Sequence, residues 1–154
     1  MSDKMRGALF NILGDIEGLH VLDAFAGTGA LSFEAVNRGA STSLAIEQDK
    51  TAQRTLLANS KALGLGQSVK LISASVSAWL QTSKGNDFDL ILCDPPYHDL
   101  QNSLIIRLAD RVGVQGVLVL SWPEGAELPD LPDCELLDHR NYGDGSLAFY
   151  RKIK

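Results

Sequence analysis

A carboxylate followed by two prolines and an aromatic residue is the segment of this sequence that most directly suggests chemistry. Asp94-Pro95-Pro96-Tyr97 follows the apolar run FDLILC, which is typical of a buried parallel strand. The prolines fix the backbone and supply no N–H donors, so carbonyl oxygens there need partners from elsewhere. Asp94 and an adjacent carbonyl can accept both hydrogens of an exocyclic amino group, and Tyr97 offers a face on which a base can stack. The segment predicts a nucleobase site; a Pro-rich turn that merely ends a strand is the alternative.

A glycine loop occurs earlier in the chain, between an apolar run and a predicted helix. Asp23 ends the run, and Gly27 and Gly29 follow it, an arrangement that lets backbone pass close to a ligand. Ser32 occupies the third glycine position of the dinucleotide fingerprint, which the loop therefore does not match. A carboxylate here would repel a pyrophosphate and attract an ammonium or sulfonium, so the charges favour S-adenosylmethionine. A plain Gly-rich turn is the alternative.

Two further strand ends complete the predicted cofactor site. Glu47 ends the second apolar run, where an acid commonly accepts hydrogen bonds from ribose hydroxyls. A solvated surface glutamate is the alternative at that position. After the third run, Ser75 can form a hydrogen bond, and Val76 can offer its backbone N–H and side chain to an adenine ring. An Asp or Asn is the expected residue in place of Ser75, so the adenine contact is the least specific part of the site.

The elements that must position these residues alternate between strand-like and helix-like segments. The apolar runs predict parallel strands at 19–22, 43–46, 69–72, 88–93 and 116–121. Helices are predicted at 3–13, 29–38, 49–63, 76–80 and 100–109. Gly143-Asp144-Gly145 predicts a hairpin turn between segments 136–142 and 147–151. The pattern indicates an α/β fold, an open and mostly parallel sheet with helices on both faces and ligands beyond the carboxyl ends of its strands.

Composition sets outer limits on function. The 154 residues, 45% hydrophobic and 21% charged, predict one globular domain over 1–154 in the cytoplasm, and no apolar run is long enough to span a bilayer. Cys93 and Cys134 are predicted to be isolated thiols, and the three histidines are scattered, so we expect no metal site. The net charge of −5 argues against a large nucleic-acid footprint. The first half could still present a basic face through Lys4, Arg6, Arg38, Lys50, Arg54 and Lys61.

Four segments together resemble the RsmD family of bacterial 16S rRNA guanine-N2 methyltransferases. They are DKMRGALFNIL, VLDAFAGTGALSFEAVNRGAS, DPPY and NYGDGSLAFYR. The resemblance implies a Rossmann-like S-adenosylmethionine-dependent methyltransferase with a mostly parallel seven-stranded sheet and an antiparallel C-terminal hairpin. It places Asp23, Gly27 and Gly29 on the cofactor loop, Glu47 at the ribose, Ser75 where the family has Asp, and Asp94, Pro95, Pro96 and Tyr97 on the catalytic loop. It implies ribosomal RNA or a small-subunit particle as substrate, and we expect a monomer.

Several alternatives remain open from the sequence. The resemblance implies a basic hairpin ahead of the first helix, which this sequence lacks, so either the sequence is truncated or RNA is held differently. The DPPY segment also fits adenine-N6 or cytosine-N4 methylation on DNA or RNA. An NAD-dependent oxidoreductase or a nucleotide-binding module without catalysis is the alternative from a different class.

Overall fold

Seven strands form one sheet in the computed structural model, which describes residues 1–154. The strands are β1 His20–Asp23, β2 Thr42–Glu47, β3 Val69–Ser73, β4 Phe88–Cys93, β5 Val112–Trp122, β6 Cys134–Asn141 and β7 Ser146–Lys152. The helices are α1 Asp3–Leu13, α2 Ala30–Asn37, α3 Lys50–Leu63, α4 Val76–Thr82 and α5 Asn102–Ala109. None of these helices has the length and apolarity needed to cross a membrane.

The strand order is β3-β2-β1-β4-β5-β7-β6. Strand β7 is antiparallel to both of its neighbours, and the other pairs are parallel. The predicted, mostly parallel seven-stranded sheet with an antiparallel C-terminal hairpin is therefore confirmed. The chain moves outward from β1 to β3 and then crosses back to β4, which lies beside β1. The carboxyl ends of β1 and β4 consequently meet at the switch in strand order, where ligands bind in open α/β sheets.

Both faces of the sheet are covered because side chains of the central strands alternate between two cores. In β4, Leu90 and Leu92 are buried in the core that includes Met5 and Leu9 of α1. Ile91 and Cys93 belong to the opposite core, which includes the buried residues of α4 and α5. Strand β4 is thus apolar on both faces, as a central parallel strand must be, and it holds the segment that follows it rigidly at the sheet edge.

Local capping sets the starts of α1 and α3. Ser2 accepts a hydrogen bond from the Met5 amide at 3.1 Å, and Asp49 accepts one from the Ala52 amide at 2.8 Å. These caps begin α1 and α3 at the predicted places.

Strand β5 begins four residues before its predicted start, at Val112 rather than at 116. Val112 pairs with Phe88, and regular pairing resumes at Leu90 and Val117 after an irregularity in the register. Gln115 accommodates this irregularity with a φ of 72°.

Candidate active site

A cleft of about 460 Å³ opens at the carboxyl edge of the sheet, beyond β1, β2, β3 and β4. This volume is in the range of small-molecule sites. Each of the four strand ends contributes predicted site residues to its wall: Gly27, Glu47, Ser75, Val76, Asp94, Pro95 and Pro96. The structure therefore brings most of the predicted cofactor residues together around one space. Asp23 and Gly29 lie behind the wall and are described below.

Glu47 fixes the glycine loop. Its Oε1 accepts a hydrogen bond from the Gly27 amide at 2.8 Å, and its Oε2 accepts one from the Asp49 amide at 2.8 Å. Each carboxylate oxygen has a second lone pair, so the same group can still accept hydrogen bonds from a ligand. Gly27 has a φ of 57°, and a Cβ atom there would meet no protein atom within 4 Å. The missing side chain of Gly27 thus leaves free space on the cleft wall.

Asp23 is fully buried beneath the glycine loop. Its Oδ2 accepts a hydrogen bond from Ser32 Oγ at 2.7 Å, and Ser43 Oγ donates to Ser32 Oγ at 2.9 Å. Its Oδ1 has no hydrogen-bond partner in the protein. Burial raises the pKa of Asp23 to about 7, the Ser32 hydrogen bond opposes that rise, and the charges of Asp94 and Glu47 add to it. Ser32, which occupies the third glycine position, therefore has a structural reason to be a hydroxyl.

Gly29 is needed for packing inside the protein. It precedes α2 with a φ of 95°, a conformation that L side chains rarely adopt. A Cβ atom there would lie 2.8 Å from Phe33 Cε2 and 3.0 Å from Leu56 Cγ. Its missing side chain faces the contact between α2 and α3, whereas that of Gly27 faces the cleft.

Ser75 and Val76 lie on the cleft wall at the start of α4. Ser75 Oγ accepts a hydrogen bond from the Ala78 amide at 3.0 Å and so caps the helix. The hydroxyl can still donate its own hydrogen. Val76 is the first residue of the helix, where a backbone N–H has no intrahelical acceptor. This strand end therefore presents two potential donors to a ligand.

The Asp94–Tyr97 loop leaves its first proline carbonyl free. The Pro96 carbonyl accepts a hydrogen bond from the Asp99 amide at 3.1 Å, whereas no protein group donates to the Pro95 carbonyl. Asp94 Oδ2 lies 3.2 Å from the amino group of Met1, and its Oδ1 accepts no hydrogen bond from the protein. A carboxylate oxygen and an adjacent carbonyl are thus both available as acceptors.

Tyr97 is 38% exposed, and its hydroxyl forms a 2.5 Å hydrogen bond with Ser121 Oγ at the end of β5. Burial raises the pKa of Tyr97; the Ser121 hydrogen bond opposes the rise, and the charges of Asp94 and Asp144 add to it. One end of the ring is therefore anchored while part of its surface remains open to a ligand.

A second cavity, of about 350 Å³, lies against the same loop. It is lined by Met1, Ser2, Met5, Asp94, Pro95, Pro96, Tyr97 and Asp144. Asp94, Pro95 and Pro96 line both this cavity and the larger cleft. The loop is thus the shared wall between two spaces, an arrangement suited to transfer of a group from one bound molecule to another.

Sequence reasoning missed other lining residues of both spaces. Those of the cleft include Phe25, Gln48, Asp99, Gln101, Leu104 and Ile105. Gln48 directly follows Glu47, and Asp99 lies two residues after Tyr97, so proximity to a motif could have found them. Met5 and Asp144 of the second cavity lie in segments that resemble the family, but both are far from the loop in sequence, and the resemblance assigned neither residue a role.

The predicted basic face is partly neutralised. Arg6 lies 3.0 Å from Asp3 and 4.0 Å from Glu34, and Arg38 lies 3.1 Å from Glu34. Two of the six cations proposed for nucleic acid are therefore engaged with carboxylates of the protein itself.

Residues 1–151 match the protein family described as Conserved hypothetical protein 95. The chain belongs to this family. Ribosomal RNA small subunit methyltransferase D of Escherichia coli (strain K12) is 33% identical over 97 residues, which cover 62% of this chain and 48% of that protein. The match therefore spans about half the length of that relative. The YlbH protein of Bacillus subtilis (strain 168) is 28% identical over 158 residues, covering 98% of this chain and 86% of YlbH.

Among solved structures, the yhhF protein of Escherichia coli is similar with a TM-score of 0.90 and 26% identity, covering 99% of this chain and 88% of that one. With the family match, these similarities confirm two predictions from the sequence, the relationship to RsmD proteins and the Rossmann-like methyltransferase fold.

Proposed function

We propose that this protein transfers a methyl group from S-adenosylmethionine to the exocyclic N2 amine of a guanine in small-subunit ribosomal RNA. The observation that carries the proposal is the Asp94–Tyr97 loop, which has a cavity on each side. Methyl transfer needs a donor and an amine that meet at one point. The name and similarity of the Escherichia coli relative support this reaction and this substrate.

The charges of the larger cleft fit a cationic cofactor. Its lining side chains include the carboxylates of Glu47, Asp94 and Asp99 and no Lys, Arg or His. Such a wall would repel the pyrophosphate of NAD and would attract a sulfonium or ammonium. Glu47 would accept hydrogen bonds from the ribose, and Val76 N–H and the Ser75 hydroxyl would contact the adenine. The free space at Gly27 would admit the ligand close to the backbone.

S-adenosylmethionine supplies an electrophilic methyl group on a cationic sulfur when it is bound. The protein's part is to hold the amine and to stabilise charge. Asp94 and the Pro95 carbonyl would accept the two amine hydrogens, which favours a tetrahedral nitrogen and localises its lone pair. The N–C bond would form as the bond between the methyl group and sulfur breaks and S-adenosylhomocysteine is released, and the Asp94 carboxylate would stabilise the positive charge on nitrogen. Its Oδ1 is available to take the proton that the amine then loses, while Tyr97 stacks on the base.

We further propose that the protein acts as a monomer in the cytoplasm, on ribosomal RNA or on the small-subunit particle. The relative's name supports the substrate. The free thiols of Cys93 and Cys134 agree with a reducing compartment.

The direct test is transfer of tritiated methyl from labelled S-adenosylmethionine to small-subunit particles, and to their naked RNA, prepared without the modification. The RNA is then digested and the labelled nucleoside identified. We expect N2-methylguanosine with the wild type and loss of most label with Asp94→Ala. Label in N6-methyladenosine or N4-methylcytidine would show that the target base is adenine or cytosine instead of guanine. Absence of label in all RNA would overturn the proposal.

A separate measurement tests the cofactor. S-adenosylhomocysteine at ~100 times its Kd should raise the free energy of unfolding by about 2.7 kcal/mol. NAD should leave that free energy unchanged. Stabilisation by NAD alone would contradict the methyltransferase assignment and favour an oxidoreductase.

A further inference from the structure

The second cavity carries a carboxylate that the proposed transfer does not use. Asp144 and Asp94 are the acidic residues among those that line this cavity. Asp144 is exposed, and its side chain forms no hydrogen bond or ion pair in the protein. The cavity therefore presents two carboxylates as hydrogen-bond acceptors. One is Asp94, whose Oδ2 also lies 3.2 Å from the Met1 amino group, and the other is Asp144 on the turn between β6 and β7.

The turn is held firmly against the catalytic loop. Gly145 is buried, and a Cβ atom there would lie 2.6 Å from Tyr97 Oη, which is itself bound to Ser121. The Tyr142 amide donates to the Gly145 carbonyl at 2.8 Å and closes the turn. Gly145 thus permits a close approach to Tyr97, while Gly143 supplies the positive φ, 91°. These contacts hold the backbone of the turn that carries Asp144 beside the Asp94–Tyr97 loop.

The bases with an exocyclic amine differ in the group that lies beside that amine on the Watson–Crick edge. Guanine has the N1–H donor next to its N2 amine. Adenine has the N1 lone pair next to its N6 amine, and cytosine has the N3 lone pair next to its N4 amine. A carboxylate at this position accepts a hydrogen bond from guanine and repels the lone pair of the other two bases.

We infer that Asp144 is a specificity-determining residue, which accepts the N1–H of the target guanine while Asp94 holds its N2 amine. This inference rests on the proposed function and adds the group that selects guanine. Asp94 alone binds any exocyclic amine, so a single acceptor cannot distinguish the three bases. The second acceptor makes the pair of carboxylates complementary to the donor-rich edge that guanine presents.

The test uses RNA in which only the edge of the target base changes. The methylated guanine is first mapped with the wild type. Small-subunit RNA is then assembled by ligation of fragments, so that the mapped position carries either guanine or 2-aminopurine. 2-Aminopurine keeps the amine at C2 but has a lone pair at N1. Single-turnover transfer rates at saturating labelled cofactor give the ratio of guanine to 2-aminopurine for the wild type, Asp144→Asn, Asp144→Ala and Asp138→Asn.

Asp138→Asn is the matched control, because it removes the same charge from strand β6 of the same hairpin. Asp138 is paired with Arg140 at 2.9 Å and does not line the cavity. The wild type should prefer guanine by on the order of 10²-fold or more, since a site built to accept a hydrogen bond rejects the analogue that lacks the donor. Asp144→Asn should lower this ratio roughly tenfold or more, because its amide can donate to N1.

Asp144→Ala should also lower the ratio, whereas Asp138→Asn should keep the wild-type value. Calorimetric affinity for S-adenosylhomocysteine should be unchanged in all three variants, since Asp144 and Asp138 lie outside the cofactor cleft. If Asp144→Asn and Asp144→Ala methylate guanine and keep the wild-type ratio of guanine to 2-aminopurine rates, Asp144 does not select the base. The proposed function would still stand in that case. Absence of transfer by the wild type would overturn both.

Discussion

The two sides of the Asp94–Tyr97 loop are built in different ways. The larger cleft, which we propose binds the cofactor, is assembled from successive strand ends, each of which brings its own short motif to the same edge of the sheet. The second cavity joins the start of α1, the loop after β4 and the turn before β7. The first kind of site follows from topology once the strands are known. The second depends on how distant segments pack.

Glycines show the same contrast at the scale of single residues. A Cβ atom at Gly27 would enter free space in the cleft, one at Gly29 would collide with Phe33, and one at Gly145 would collide with Tyr97. Only Gly27 leaves room for a ligand directly. Gly29 and Gly145 serve the protein's own packing, the first against Phe33 and the second against Tyr97.

The largest expected effect concerns the buried acid beneath the cofactor side. The folded protein raises the pKa of Asp23 from 3.8 to about 7, so it holds this proton to a higher pH than the unfolded chain does. The stabilising contribution is complete below about pH 4 and is lost as the pH rises through about 7. Between these limits the wild type should lose about 4 kcal/mol of unfolding free energy relative to Asp23→Asn. Urea denaturation across this range measures the difference, and parallel pH profiles would contradict it.

The next effect separates catalysis from cofactor binding. Asp94→Ala should lower the single-turnover rate of methyl transfer by about 10²–10³-fold, because one preorganised group that stabilises developing charge is lost. Affinity for S-adenosylhomocysteine should fall only modestly, since Gly27, Glu47 and Val76 remain on the cleft wall.

Asp94→Asn shows which property of that residue matters. Asparagine keeps an acceptor oxygen without the charge, so a rate close to that of Asp94→Ala would indicate charge stabilisation. A rate near that of the wild type would indicate orientation of the amine. Wild-type rates of methyl transfer in both variants would show that Asp94 has no catalytic role.

A pair of glycine variants should separate packing from ligand contact. Gly29→Ala should lower the free energy of unfolding by roughly 2–4 kcal/mol, because its Cβ collides with Phe33 at a positive φ. Gly27→Ala should cost about 1–2 kcal/mol for its positive φ alone and should weaken binding of S-adenosylhomocysteine. Thermal unfolding and calorimetry on both variants check this. Equal losses of unfolding free energy in the two variants would contradict the assignment of Gly29 to packing and of Gly27 to ligand contact.

The smallest expected effect concerns Tyr97, which lines the second cavity. Ser121→Ala removes one hydrogen bond from the Tyr97 hydroxyl, and that bond is worth about 1 kcal/mol. Methyl transfer should fall several-fold while affinity for S-adenosylhomocysteine stays at the wild-type value. A change in cofactor affinity instead would mean that Tyr97 supports the cleft rather than the acceptor cavity.

The sequence by itself determined the sheet and which strand ends line the larger cleft, since both rest on local signals. Ser2 and Asp49 cap the helices that follow them, and FDLILC is apolar on both faces because β4 is covered on both sides. Strand order then brings the ends of β1 and β4 together. The early start of β5 was missed, since its pairing with Phe88 depends on an irregularity that no local pattern marks.

Only the tertiary structure decided what several polar residues contact. It buried Asp23 with Ser32, paired Arg6 and Arg38 with Glu34, and brought Asp144 to the same cavity as Asp94. The turn sequence showed why glycines are allowed around Asp144, but not that Gly145 packs on Tyr97. Sequence patterns report backbone preference and the burial of faces. The neighbours of a side chain are set by packing between segments far apart in the chain, and such packing has no local signature.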